Sequence, residues 1–304
     1  MDGIIGVYKE KGYTSHDVVA KLRGILHQKK IGHTGTLDPD AEGVLPICLG
    51  KGTKLCDLLT DKDKTYVAVC RLGVVTDTQD LTGTVLQQNQ VYVTEKEVKE
   101  CITSFLGEYW QIPPMYSALK VGGKKLCDLA REGIYVERKA RKVVFYDIEL
   151  LEYQKETHCF TMQVHCSKGT YIRTLCHDIG EKLGCGAAMG ELVRTRVADF
   201  TLDTVYRLRE IEELCARGQI ESVVRPVESM FPACPKAHVC SAKDKALYNG
   251  NIIKEEDVAR VEQAADAKEE RYLFYDSFGR FVALYRKDGK LYRLEKMFFP
   301  DLKV

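Results

Sequence analysis

The string richest in chemical possibility runs Gly32-His33-Thr34-Gly35-Thr36-Leu37-Asp38-Pro39 and continues through Ala41 to Gly43-Val44-Leu45-Pro46. Its glycines and hydroxyls favour an irregular, basic loop from Gln28 to Gly43, and loops carried on a rigid frame hold functional groups more often than cores do. Asp38 is the carboxylate this loop presents. An Asp before a proline is by itself a turn former, so the dipeptide decides nothing and the whole string must carry the argument. Other familiar signals fail. Leu49-Gly50-Lys51-Gly52-Thr53-Lys54 looks like a phosphate loop, but no glycine stands five positions before Gly50 and no Ser or Thr follows Lys51. The seven histidines never fall at H-E-x-x-H spacing, and His177-Asp178 has no flanking ligand pattern, so no metal site is expected. The 12 cysteines are scattered with no C-x-x-C pair, and Cys48, Cys70, Cys166 and Cys176 sit in apolar runs, which reads as reduced core thiols.

The elements around these residues can be read from periodicity. Thr14-Ser15 opens a helix with Val18, Val19, Leu22 and Leu26 on one face. From Thr65 to Leu72, Tyr66, Ala68, Cys70 and Leu72 alternate with Val67, Val69 and Arg71, a strand with Tyr66 at its beginning. Thr94-Glu95-Lys96-Glu97 fits a capping box, followed by Val98, Cys101, Ile102 and Phe105 at helical spacing until Gly107. A second strand spans His158 to Cys166. Ser167-Lys168-Gly169-Thr170 then turns into a helix striped by Ile172, Leu175, Cys176, Ile179 and Leu183 and stopped by Gly184. Arg173 therefore falls in a first helical turn beside a strand end. Pro226, Pro232 and Pro235 punctuate a boundary, after which short strands follow, including an Asp288-Gly289 hairpin between 281–286 and 291–296.

At 304 residues, 45% hydrophobic and 29% charged, the chain has room for a sizeable domain and a small one, and it is neither disordered nor collagen-like. No run approaches the roughly 18 apolar residues of a membrane span, and Met1 to Gly6 lacks the features of a signal peptide, so a cytoplasmic location is expected. A net charge of +1 gives no global case for nucleic acid. Locally, residues 115–145 hold eight cations against three acids, a +5 segment, and Lys21, Arg23, Lys29 and Lys30 form another cluster. Such segregation suits a phosphate-binding face or a plain solvated one.

The string G-H-T-G-T-L-D-P-x-A-x-G-V-L-P resembles the catalytic loop of the bacterial tRNA pseudouridine synthase B (TruB) family. Three further blocks resemble that family in the same order: Asp63-Lys64-Thr65-Tyr66 leading to Arg71-Leu72-Gly73, Pro114 to Lys120, and Gly169 to Leu175 running on through Asp178 to Gly184, Leu192 and Arg194. The likeness covers about residues 3 to 200. One departure is visible: the family's K-P-x-G-x-T-S opening reads Lys9-Glu10-Lys11-Gly12-Tyr13-Thr14-Ser15, without the proline that would stiffen the turn.

The resemblance implies an α+β catalytic domain around a mixed, largely antiparallel sheet over residues 1–230. It also implies a small β-rich, PUA-like RNA-binding domain over 236–304. The implied activity is conversion of uridine 55 in the T loop of tRNA to pseudouridine. The base is flipped out, the bond from N1 to C1′ is broken, and the base is rejoined through C5, with no cofactor or metal and no obligate protein partner. Asp38 matches the family's nucleophile. Tyr66 matches its active-site tyrosine, and Arg173 the arginine paired with the catalytic Asp through bidentate hydrogen bonds. By the same likeness His33 would contact the loop near the flipped nucleotide, and Tyr171 and Leu192 would wall the base pocket. Three other readings stay open at the level of sequence: a guide-dependent, dyskerin-like synthase, a non-catalytic RNA-binding or RNA-folding protein, and a hydrolase that releases free uracil.

Overall fold

The computed structural model describes residues 1–264 and 270–298. Seven strands form the spine of a nine-stranded sheet in the order Gly3–Lys9, Glu42–Leu49, Ala187–Val197, Lys64–Leu72, Cys159–Cys166, Arg141–Gln154 and Gly107–Gln111. Ile31–His33 pairs alongside Glu42–Leu49, and Phe200–Thr201 alongside Ala187–Val197. Pairing is antiparallel except where Val193 and Arg194 run parallel to Glu42 and Gly43. This is the mixed, largely antiparallel sheet expected of the α+β class. The short Ile31–His33 strand corrects the expectation of one uninterrupted loop from Gln28 to Gly43. Ile31 is buried and its ladder to Leu49 gives the segment backbone partners that a free loop would lack.

Period-two alternation explains why the central strands share one face. Tyr66, Ala68, Cys70 and Leu72 point to the same side as Phe160, Met162, Val164 and Cys166, and all eight are buried. That face is covered by the helix Glu95–Thr103, through Val98, Cys101 and Ile102, and by the helix Ile172–Lys182, through Leu175, Cys176 and Ile179. The first begins at the reciprocal Thr94–Glu97 cap. The second has no side-chain cap of its own. Instead the Tyr171 backbone N–H donates to Gln111 Oε1 at 2.8 Å, and Gln111 Nε2 donates back to the Tyr171 carbonyl at 3.0 Å. The edge strand thus holds the start of the helix that carries Arg173. The parallel crossing is equally specific, because a Cβ on Gly43 would meet the Arg194 carbonyl oxygen at 2.3 Å. Cys48, Cys70, Cys166 and Cys176 are buried free thiols.

A second, six-stranded mixed sheet follows, in the order Ile253–Lys254, Leu291–Met297, Phe281–Asp288, Arg271–Tyr275, Lys236–Val239 and Val258–Glu262. Leu273, Tyr275, Leu284 and Phe298 from it pack into a hydrophobic cluster with Ile4, Val44, Cys48 and Leu55 of the first region. The hairpin expected at Asp288-Gly289 sits one residue later. Asp288 stays in the ladder opposite Leu291, and Gly289 and Lys290 make the turn. Gly289 takes φ +60° at the first central position, where a tight turn matched to strand twist requires glycine.

Candidate active site

The Asp38 loop is suspended from residues scattered along the chain. Thr34 donates its N–H and its hydroxyl to the Pro46 carbonyl, both at 3.2 Å. Leu37 is buried, and its N–H donates to Ser15 Oγ at 2.9 Å. Beyond Asp38, the buried Lys9 ammonium donates to the carbonyls of Ala41 at 2.6 Å, Pro39 at 3.1 Å and Glu10 at 3.1 Å. Arg194, also buried, donates from Nε to the Val44 carbonyl at 2.7 Å and from Nη1 to the Thr36 carbonyl at 3.4 Å. Burial pushes Lys9 down to about 8, with Asp38 opposing and Arg194 reinforcing the fall. Three carbonyl acceptors need three N–H donors, so the arrangement suits the ammonium form. The turn that lacks the family's proline is held another way: Gly12 N–H donates to the Pro39 carbonyl at 2.9 Å, and Glu10 pairs with Arg207 at 2.6 Å.

Arg173 projects from the first turn of its helix, with only 7% of its side chain exposed, and its Nε lies 3.1 Å from Asp38 Oδ2. The sequence-based expectation of a bidentate pair with Asp38 does not hold. Nη2 donates to the Tyr116 carbonyl at 2.8 Å and Nη1 to the Thr78 carbonyl at 3.3 Å, with Asp80 Oδ2 at 3.6 Å. The terminal nitrogens are therefore committed to fixing the guanidinium, and one edge faces the carboxylate. Asp38 keeps 41% of its side chain exposed and free to react. Asp80 was not singled out by the sequence reading. It accepts from the Thr78 and Thr82 hydroxyls at 2.7 and 2.6 Å, a network foreshadowed only by the string Thr76-Asp77-Thr78-Gln79-Asp80-Leu81-Thr82-Gly83-Thr84.

Asp38 opens onto a cavity of about 560 Å³ that Tyr66, Tyr171, Ile172, Arg173, Leu192 and Arg194 also line. That size lies within the range of about 300–1,000 Å³ typical of small-molecule sites. Burial raises the pKa of both tyrosines, so each carries its hydroxyl proton at neutral pH. Lys64, Arg141, Lys142 and Lys168 line it as well, so that six cations share the lining with Asp38 and Asp61. Burial pulls Lys64 down to about 8, the Arg194 charge adding to the effect. Of the +5 segment, Lys124, Arg131 and Lys142 are paired with Glu132, Asp128 and Glu108, whereas Arg141 and Lys142 reach the cavity. His33 does not line it. Its ring packs edge-on against His16 at 5.1 Å and its Nδ1 accepts from the Gly35 N–H at 3.3 Å, bracing the loop from behind.

The fold that carries this cavity has clear counterparts. The fold superposes on a Cbf5-Nop10-Gar1 complex with a TM-score of 0.74 and 29% identity, covering 98% of this chain and 85% of that one. A structure of an H/ACA RNP bound to a substrate RNA containing 2′-deoxyuridine gives 0.72 and 27%, with the same coverage. Residues 23–172 match the TruB family pseudouridylate synthase N-terminal domain, and 173–232 the tRNA pseudouridylate synthase B C-terminal domain. Among the relatives named tRNA pseudouridine synthase B, three illustrate the likeness. That of Lachnoclostridium phytofermentans is 52% identical, covering 98% of this chain and all of the relative. That of Alkaliphilus oremlandii is 51% identical, covering 83% of each. That of Bacillus pumilus is 42% identical, covering 94% and 93%. The class is thereby that of the pseudouridine synthases, isomerases that break and remake the link between base and sugar. Within it, the chain belongs to the TruB family, and the curled second sheet is consistent with a PUA-like fold.

Proposed function

We propose that this protein isomerises uridine 55 in the T loop of tRNA, with Asp38 as the nucleophile and without metal, cofactor or guide RNA. The observation that carries the reading is a half-exposed Asp38 carboxylate, held by the buried Arg173 at 3.1 Å, facing the cavity that Tyr66, Tyr171 and Leu192 line. A uridine inside a folded stem-loop reaches such a carboxylate only by leaving its stack. Tyr66 and Tyr171 offer ring faces and Leu192 an apolar wall to the flipped base. Asp38 forms a covalent intermediate while the base turns, and Arg173 keeps the carboxylate aimed. His33 stiffens the loop close to the nucleotide's entry. Residues 1–230 form the catalytic domain, and 236–304 a PUA-like domain that adds RNA contact. The basic rim meets phosphates of the T stem-loop, and the enzyme acts in the cytoplasm with no obligate protein partner.

A guide-dependent reading has one specific observation behind it, the match to two structures named as H/ACA RNP or sRNP complexes at 26–27% identity. Relatives named for tRNA stand at up to 52% over nearly the whole chain, which favours the guide-free reading. The experiment is incubation of the purified protein with unmodified tRNA transcript, mapping pseudouridine nucleotide by nucleotide, beside Asp38→Asn. Wild type yields pseudouridine at position 55 alone, and Asp38→Asn yields none while binding tRNA within a few-fold. Modification only after a guide RNA is added, modification at another position, or normal turnover by Asp38→Asn overturns the reading.

A further inference from the structure

Gln79 has φ +66°, a left-handed conformation that residues other than glycine, asparagine and aspartate seldom adopt. Glycine would make the same turn without strain. Strain of this kind persists where surrounding contacts over-determine it, and it gathers at working sites. The contacts around Gln79 bear on Arg173. Because the chain reverses at Gln79, two successive carbonyls diverge. That of Thr78 accepts from Arg173 Nη1 at 3.3 Å, and that of Gln79 accepts from the Met189 N–H at 3.0 Å. On the far side of Asp80 the Leu81 N–H donates to the Met189 carbonyl at 2.9 Å, so the turn is docked on the strand Ala187–Val197 both before and after the acid. The Gln79 side chain makes the remaining link. Its Oε1 accepts from the Thr174 hydroxyl at 2.8 Å, and Thr174 follows Arg173 in the helix Ile172–Lys182. Thr174 is 2% exposed, so its hydroxyl needs a partner within the protein. A helical threonine can donate to a carbonyl of its own preceding turn, but this one reaches out of its helix to Gln79.

We propose that Gln79 is a positioning residue, whose clasp on Thr174 fixes the turn over 76–84 against the helix and so sets the angle at which Arg173 presents its Nε to Asp38. This rests on the reading of Asp38 as the nucleophile. Arg173 has three groups of partners to meet at once: Asp38 at Nε, the Tyr116 carbonyl at Nη2, and the Thr78 carbonyl with Asp80 at Nη1. The partners of Nη1 both come from the turn that Gln79 holds. If that turn drifts, the Thr78 carbonyl leaves Nη1, the guanidinium plane is free to rotate, and Nε swings off the carboxylate. A misplacement of about 1 Å can cost on the order of 100-fold in rate even when it arises away from the reacting atoms. The backbone and the side chain of Gln79 thus act together. The left-handed turn aims the Thr78 carbonyl at Arg173, and the Oε1 ties the same residue to the next position of the helix.

Single-turnover pseudouridine formation, tRNA affinity and urea stability are measured for wild type, Gln79→Gly, Thr174→Val, the double variant and Thr174→Ser. Gln79→Gly removes the clasp and the backbone strain together, so it should leave stability nearly unchanged while slowing the reaction about tenfold, with affinity kept within a few-fold. A residue that only supported the fold would lose rate and stability together, and that result overturns the proposal. Thr174→Val keeps the shape but not the donor, and should slow the reaction to a similar extent. Thr174→Ser, which keeps the hydroxyl, should stay within about twofold of wild type. In the Gln79→Gly background, Thr174→Val should cost less than about twofold more, because the bond it breaks is already gone. Wild-type rate in Gln79→Gly, or an equal cost of Thr174→Val in both backgrounds, refutes the proposal. If Gln79→Gly fails to fold, Thr174→Val against Thr174→Ser decides, and equal rates refute it. A wild type that makes no pseudouridine, or normal turnover by Asp38→Asn, refutes the reading of Asp38 and this proposal together. Turnover that depends on Asp38 but not on Gln79 or Thr174 refutes this proposal alone.

Discussion

Replacing Lys9 by methionine separates two things its ammonium does, and the two move in opposite directions with pH. Lys9 is fully buried, and its Nζ serves the carbonyls of Glu10, Pro39 and Ala41. Stripping the buried Ala41 carbonyl of its donor costs about 1–3 kcal/mol, and the part-buried Glu10 and Pro39 carbonyls, which keep the Tyr13 and Gly12 N–H groups, each lose a second bond worth about 0.5–1.5 kcal/mol. Against that, the fall from 10.5 to about 8 means the buried charge itself costs about 3 kcal/mol. Lys9→Met should therefore shift stability near pH 7 by between about 1 kcal/mol of gain and about 3 kcal/mol of loss, centred on about 1 of loss. The unfolded chain keeps the Lys9 proton up to about 10.5 and the folded one only up to about 8. Between those values the unfolded state binds the Lys9 proton more, so the stability that Lys9 contributes grows as pH climbs through this window. The sign for the loop is opposite, because a neutral amine has two hydrogens for three carbonyls and one support of Asp38 is lost. Wild-type turnover should fall above about pH 8 while the Lys9 contribution to stability grows. Lys64, also lowered to about 8 by burial, adds a similar rise of its own that Lys9→Met leaves in place. Urea unfolding of both proteins at pH 7, 8.5 and 10, with single-turnover rates beside it, reads this out. Groups common to the two proteins cancel in the difference. Parallel stability curves for wild type and variant across that range would refute the reasoning.

Two further outcomes follow from the same contacts. Arg173→Lys keeps a charge but cannot reach Asp38, the Tyr116 carbonyl and the Thr78 carbonyl at once, so single-turnover rates should fall about 10- to 100-fold with tRNA affinity nearly intact; a variant at wild-type rate would show that the fork geometry is idle. Neutralising Lys124, Lys125, Arg141 and Lys142 together should flatten the fall of log affinity with log salt, at about 0.7–0.9 per lost phosphate contact. Most of that change should come from Arg141 and Lys142, which line the cavity, and an unchanged slope would make the segment a solvated face.

What could be read in advance depended on whether a residue's partners were local. The strand alternation that buries Tyr66 and the turn that starts the helix at Arg173 are short-range patterns, and both elements stand where those patterns put them. The supports of the Asp38 loop were illegible because they act over distance. Lys9 reaches carbonyls 30 and 32 residues away, and Arg194 reaches carbonyls 150 and 158 residues away. A carbonyl carries no sequence signature, so neither contact leaves a motif. Asp80 was hidden for a related reason, since its part depends on where the terminal nitrogens of Arg173 turn. That choice also undid the expected bidentate pair with Asp38. The hairpin slipped by one residue because an Asp can stay in a ladder, and the glycine alone was needed to turn it.

The parallel seam at Gly43 and Arg194 sets a time as well as a place. The chain emerges from the ribosome amino end first, so the Asp38 loop is exposed long before residue 194 exists to close against it. Until then the loop has Lys9 and Ser15 to hold it but neither the guanidinium beneath it nor the arginine at position 173 beside it. Long-range closures of this kind form late in folding. A nascent chain halted before residue 173 would carry every residue of the G-T-L-D-P string and neither of the arginines that hold it. The Asp38 loop therefore gains its full set of contacts only once residue 194 has been made.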